Sequence, residues 1–236
     1  MAVPNTVSTD IDPDMLHLVS LEGCAFAQAV HIALVHKNTP FRHTQAPSLA
    51  PDATALSPRP DWYRTLSPEG RSPVLHHRGR VLHDSALIDQ YLDEVVPERP
   101  LMPSDPADRL VARTWLHRIS TTLPELWFRT LMAPAAGLAE SADRLCGFLA
   151  EWEAALGDHG DEGPWLFGAR WTLPDLFMTP FYERFGLGLG GFRMPDEERL
   201  PRVHRHRRAS LEHPDYVQTR HDPDMLTTVY RLLARA

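Results

Sequence analysis

Cys24 is the residue whose type and position best suit chemistry. It follows a short apolar run, Leu16 to Ser20, and a turn at Glu22-Gly23, and it precedes Phe26, Ala29, Val30, Ala33 and Leu34 at helical spacing. That places it at the N-terminus of a helix, where unpaired backbone N–H groups and the positive end of the helix dipole favour a thiolate. A thiol nucleophile fits this position, and so does a small buried cysteine acting as a hydrophobe. Cys146 lies in a helical pattern beside Leu145 and Phe148 and reads as core. The neighbours His76 and His77 at a strand end point to opposite faces, and no Cys/His/Asp set has metal-ligand spacing, so no zinc or iron site is expected. The run from Arg202 to Arg208 is basic, and in a net-acidic chain it reads as a solvated helix face.

The elements that must position Cys24 can be read in order. The strand, turn and helix just described stop at Thr39-Pro40, and Phe41 to Thr44 begins a second strand. Residues 45–60, with four prolines and little periodicity, read as irregular or only briefly helical. Pro73-Val74-Leu75 and Val81-Leu82 flank a turn over His77 to Arg80, and Ser85 opens a helix carrying Leu87, Ile88, Tyr91, Leu92 and Val95. Four prolines between Pro97 and Pro106 rule out helix or central strand there. Beyond them, helical patterns cover 107–131, 141–156, 174–185, 201–212 and 224–234, with no strand-like alternation. The expected organisation is a tail over 1–15, an α/β domain over 16–96, a linker over 97–106 and an all-helical domain over 107–236.

Composition narrows the function. The 236 residues carry 31 acidic and 24 basic side chains, a net charge of -7, which repels phosphate backbones; nucleic acid is not an expected partner. Two distant cysteines are not the framework of a small secreted domain, and a reducing compartment is expected. The opening residues have neither the basic start nor the apolar stretch of a signal peptide, and no segment reaches the roughly 18 apolar residues of a membrane span. A cytoplasmic protein without membrane partners is expected.

Ser67-Pro68-Glu69-Gly70, Ser72-Pro73-Val74-Leu75 and Asp84-Ser85-Ala86-Leu87-Ile88, in this order and spacing, resemble the Asn-Pro-x-Gly turn, Pro-Val-Leu strand and Glu-Ser-x-Ala-Ile helix start of the cytosolic glutathione transferases. Gly163 to Asp175 resembles the segment opening the central helix of the family's second domain, in which Thr172 caps and Asp175 reaches back to backbone N–H groups. Cys24-Ala25-Phe26-Ala27-Gln28 is similar to the Cys-Pro-Phe-Ala segment of the omega class, and Arg59-Pro60-Asp61-Trp62 to its Lys-Pro-Glu-Trp stretch. Ala25 departs from the usual proline, and Ala27 removes any Cys-x-x-Cys pair. The zeta class has Ser-Ser-Cys where Cys24 to Phe26 stand here.

The resemblance implies a thioredoxin-like α/β first domain, an all-α second domain, glutathione as cosubstrate, no metal and a homodimer. It makes Cys24 the catalytic thiol. Pro73, after a cis bond, turns the backbone of Ser72 toward glutathione as an added strand. Asp84 receives the α-ammonium group and Ser85 the α-carboxylate, though both residue types also simply cap helices. Arg59 takes the place of the omega lysine that approaches glutathione. Phe26, Trp115, Arg118, Trp127 and Phe128 are candidates for the pocket of a small-molecule acceptor, or for core. The implied activity is glutathione-dependent transfer or thiol transfer at an electrophile or disulfide; cis-trans isomerisation of a double bond and non-catalytic ligand binding are the alternatives.

Overall fold

Leu16, Leu18 and Val19 are fully or almost fully buried on both sides of one strand, which requires a sheet covered on both faces. The computed structural model describes residues 12–158 and 162–235 and has that sheet; residues 1–11 of the expected tail lie outside the described residues. Strands β1 (Leu16–Leu21), β2 (Phe41–Ala46), β3 (Val74–His77) and β4 (Arg80–His83) stand in the order β2-β1-β3-β4. β1 and β2 are parallel, and the other pairs are antiparallel, with Leu18 opposite Leu75 and Val19 opposite Val74.

Helices α1 (Ala25–Lys37) and α3 (Ser85–Val95) cover the face bearing Leu16, Leu18 and Leu75. Helix α2 (Asp61–Leu66) covers the other, where Trp62, Tyr63 and Leu66 meet Val19, Ala46 and Val74. The adjacent histidines do face opposite ways: His76 bonds the Leu66 carbonyl beside α2, and His77 the Tyr91 hydroxyl on α3. Helix α2 is absent from the sequence reading because six residues are too few to show a period. The hairpin turn is tighter than expected, since Arg78 and Gly79 alone connect the strands, both at positive φ (51° and 68°) as a two-residue primed turn needs.

The rest is helical: α4 (Pro106–Leu131), α5 (Leu138–Ala155), α6 (Leu173–Phe185), α7 (Pro201–Glu212), α8 (Pro214–Val217) and α9 (Pro223–Leu233). Helix α6 is buried along nearly its whole length and forms the axis of this half. Its start is the expected capping box: Asp175 Oδ2 accepts the Thr172 N–H (2.8 Å) and hydroxyl (2.7 Å), and Oδ1 accepts the Leu166 N–H (2.8 Å) with His206 Nε2 at 3.0 Å. Cys146 is half-buried against the core. Arg202 and Arg208 of the basic run pair with Glu153 and Glu197. No helix among the described residues is long and apolar enough to cross a membrane.

The two halves share a continuous core, and a buried ion pair of the α/β half holds the segment that joins them. Lys37 Nζ, at the end of α1, donates to Asp93 of α3 (2.6 Å) and to the Glu98 carbonyl (3.3 Å). Asp93 also accepts the Leu101 and Met102 N–H groups, pinning the proline-rich segment before α4. One turn earlier, Asp89 is fully buried and neither carboxyl oxygen has a hydrogen-bond partner among the described residues. Burial, and secondarily the nearby Asp93, push its carboxyl well above the usual range, with Lys37 opposing.

A carboxyl with a raised folded-state pKa stabilises the fold fully below its unfolded value of about 3.9, and that contribution is lost as pH rises toward the folded value. Asp89→Asn, which needs no proton, is therefore expected to match or exceed the parent's stability at neutral pH, with the gain vanishing below about pH 4. Urea midpoints across that range measure it, and a variant markedly weaker at neutral pH would show that Asp89 is ionised and paired.

Candidate active site

The turn between β1 and α1 is built around Gly23, whose φ of +73° suits glycine and whose missing side chain leaves room for Leu226 of α9. Cys24 follows as the N-cap of α1 with extended backbone and half-buried side chain. Its Sγ donates to the Ser72 carbonyl at 3.6 Å, and Ser72 Oγ accepts the Leu21 N–H at 2.9 Å. The loop before β3 and the end of β1 are thus sewn together at the cysteine. The Ser72–Pro73 bond is cis.

Two cavities meet at Cys24. One is a polar cleft of about 550 Å³, and it gathers Arg59, Ser72, Pro73, Asp84 and Ser85 from three separate segments around the thiol. Asp84 has a positive φ (70°), and its Oδ1 caps α3 by accepting the N–H groups of Ala86 (3.0 Å) and Leu87 (3.3 Å). Both cap bonds use that one oxygen of an exposed carboxylate, so capping and ligand binding are compatible. Arg59 lies across Gly70: a Cβ there would stand 2.6 Å from Nη1. Tyr63 braces the loop by donating to the Arg71 carbonyl (2.6 Å), and burial holds its phenol above the ordinary value.

The other cavity, about 280 Å³, is apolar and aromatic: Phe26, Trp127, Phe128, Phe181 and Tyr230 line it, with Cys24 in its wall. Leu21, Cys24, Phe26 and Arg59 belong to both cavities. Of the expected pocket residues, Phe26, Trp127 and Phe128 are here. Trp115 and Arg118 are not. They lie on the side of α4 that faces α5, where Trp115 packs 4.9 Å from Trp152 and 6.1 Å from Phe148, and Arg118 stacks 4.4 Å over Trp115 and pairs with Glu151. Three residues apart, they share one helical face, and Ser120, Trp127 and Phe128 occupy the face turned to the cavities. Ser20 bonds His43 at 2.8 Å and lines neither cavity.

Sequence reasoning did not identify Ser120, Arg71, Tyr230 or Arg184. Tyr230, on α9, stacks near Phe128 with ring centroids 6.3 Å apart, and its hydroxyl donates to the Gly23 carbonyl at 3.5 Å. Arg184 is fully buried on α6, with Nη2 donating to the same carbonyl at 2.8 Å. Nothing in the spacing of α9 separates Tyr230 from an ordinary core aromatic, and a lone arginine in a helix reads as solvent-exposed. Among the described residues no group of three or more His, Cys, Asp or Glu could hold a metal ion.

Gly70 lets the chain turn at φ +67° and gives Arg59 its seat. Gly70→Ala is expected to cost about 1–2 kcal/mol from the left-handed backbone alone and to displace the Arg59 guanidinium; a urea midpoint equal to the parent's would refute the first effect.

Comparison with known proteins agrees with this fold. The family model described as glutathione S-transferase, N-terminal domain, matches residues 23–95, and that of the glutathione S-transferase, C-terminal domain, matches 135–209. Pyrimidodiazepine synthase of Drosophila melanogaster is 33% identical over 186 residues, spanning 75% of this chain and 68% of that protein. Glutathione S-transferase omega-1 of Sus scrofa is 26% identical over 175 residues, spanning 72% of this chain and 67% of that one. Among solved structures, the tau class glutathione S-transferase of mango, Mangifera indica, superposes with a TM-score of 0.80 at 19% identity over 93% of this chain and 98% of that one.

Proposed function

The chain belongs to the glutathione S-transferase family, and we propose that it is a thiol transferase, moving glutathionyl groups to or from a small apolar disulfide or electrophile through Cys24. The observation that carries this reading is the position of Cys24 in the wall common to the polar cleft and the aromatic cavity. A thiol there reaches a peptide sulfur from one side and an acceptor from the other.

The cleft suits glutathione from end to end. The Asp84 carboxylate meets the α-ammonium group of the γ-glutamyl end, and the Ser85 hydroxyl with the first N–H groups of α3 meets its carboxylate. The backbone of Ser72 pairs with the cysteinyl residue as a short added strand. Arg59 offers its guanidinium to the glycyl carboxylate. As the peptide's N–H takes the Ser72 carbonyl, the Cys24 thiol gives up its own bond to that oxygen and is released toward the ligand.

With a mixed disulfide of glutathione, the Cys24 thiolate attacks the glutathionyl sulfur. A new S–S bond forms to Cys24, the old S–S bond breaks, and the leaving thiolate takes a proton from water. A second glutathione thiolate then attacks the Cys24 adduct, releasing glutathione disulfide and restoring Cys24. Ala27 occupies the position of a second cysteine, so one protein thiol does both steps. The aromatic walls of Phe26, Trp127, Phe128 and Tyr230 hold an apolar acceptor beside the thiol. A homodimer in the cytoplasm is proposed on family grounds.

Isothermal titration with reduced glutathione tests the cleft. Asp84→Asn keeps the helix cap and loses the charge, so affinity is expected to fall by about tenfold or more, in line with a charged hydrogen bond worth roughly 1.5–3 kcal/mol, with the melting temperature unchanged. Absence of binding in the parent would reject glutathione as the ligand. Cys24→Ala is expected to bind glutathione and to lose disulfide-reducing turnover with a small disulfide; retained turnover would exclude Cys24 as the nucleophile, and absence of turnover in the parent would leave isomerisation or simple ligand binding.

A further inference from the structure

We propose that Arg184, remote in sequence from every cleft residue, is a positioning residue for Cys24: through a direct bond to the Gly23 carbonyl it holds the Gly23–Cys24 peptide in the orientation that keeps the thiol in the wall between the two cavities, and a second bond links it to Tyr230 of the acceptor cavity. This rests on Cys24 as the reacting thiol.

The guanidinium is fully buried and all its nitrogens are engaged. Nη2 donates to the Gly23 carbonyl at 2.8 Å, the oxygen of the peptide that joins Gly23 to Cys24. Nη1 donates to Gln28 Oε1 of α1 at 2.9 Å and to the Pro180 carbonyl of its own helix at 2.6 Å, and it meets Glu183 Oε2 at 3.3 Å. Nε donates to the Tyr230 hydroxyl at 2.7 Å. Glu183 supplies the opposite charge and accepts Gln28 Nε2 at 3.0 Å, so the ion is neutralised and its donors are satisfied where it is buried.

The held peptide has reason to move when released. Gly23, at φ +73°, has no Cβ to restrain it, and among the described residues the Cys24 side chain is anchored by a long bond, 3.6 Å, to the Ser72 carbonyl. Arg184 is the charged group that ties this turn to α6, the most buried helix. Tyr230 touches the same carbonyl and lines the acceptor cavity, with its phenol pushed up by burial and so protonated. An acceptor that moves the Tyr230 ring therefore moves a partner of the group that sets the thiol.

The test reads Cys24 directly, without glutathione. In a Cys146→Ser background, where Cys24 is the sole thiol, alkylation of the folded protein by iodoacetamide is followed by mass spectrometry. Arg184→Lys keeps the charge beside Glu183 and loses the fork, and it is expected to slow alkylation by about tenfold, as misplacement of a reacting group does. Tyr230→Phe loses one hydroxyl and is expected to slow it by less. In both variants the dissociation constant for reduced glutathione is expected to stay within about twofold of the parent, because Arg184 touches none of Arg59, Asp84 and Ser85. In turnover the effect should fall on kcat and leave the KM for glutathione. Parental alkylation rates in folded variants with lowered urea midpoints would overturn the proposal, leaving Arg184 as a strut between helices. So would a loss of glutathione affinity that parallels the loss of rate. If Arg184→Lys does not fold, the Tyr230→Phe rate decides alone. Failure of glutathione to bind the parent would remove the thiol-transferase reading and leave the alkylation result intact.

Discussion

The buried guanidinium of Arg184 is the interaction on which the site depends. A charge taken out of water is tolerated only when its donors are satisfied and an opposite charge lies close. Glu183, Gln28, Tyr230 and the carbonyls of Gly23 and Pro180 meet that requirement. Those partners come from α1, α6, α9 and the β1–α1 turn. Satisfying one cation therefore fixes the α/β half, the helical half and the C-terminal helix relative to one another, and the fixed point is one bond from Cys24.

A second polar joint works at the opposite end of α1. Lys37 and Asp93 neutralise each other, and the spare acceptor capacity of Asp93 holds the N–H groups of Leu101 and Met102. The proline-rich segment is thereby pinned, and α4 starts from a defined position under its Asp105 cap. Asp175 does the same for α6, serving as cap, partner of the Leu166 N–H and neighbour of His206. Between these joints the apolar core is continuous from β1 to α9. The consequence for chemistry is a rigid frame with two cavities of opposite character, polar on the sheet side and aromatic on the helix side, sharing a single thiol.

How much of this was readable beforehand follows the range of the interactions involved. The strands of β1 and β3, the helix after Cys24 and the long helices each announce themselves through local periodicity and punctuation by proline and glycine. Helix α7 runs over 201–212 as its pattern implies, and α4 begins one residue before its expected start. Helix α2 is too short to show a period, and α8 shorter still. In the site, Ser72, Asp84 and Ser85 were legible because they sit in runs whose order and spacing are similar to a known pattern. For Trp115 and Arg118 the sequence leaves pocket and core both open, because a helix pattern identifies residues that share a face without naming the neighbour of that face; α5 claims theirs.

The polar residues of the cleft were marked by a resemblance to a known family; by itself the sequence determined the order of elements and the placement of Cys24 at a helix start. Local physics suffices for these: hydrophobic period, capping chemistry and the loss of backbone freedom at proline act over a few residues. Only the tertiary structure decided which wall of α4 meets the aromatic cavity, that Tyr230 lines it, and that an arginine 160 residues after the thiol holds the turn in which the thiol sits. These depend on which faces meet across the whole chain, and a residue such as Arg184 reads as exposed until the partners that satisfy its charge are brought together.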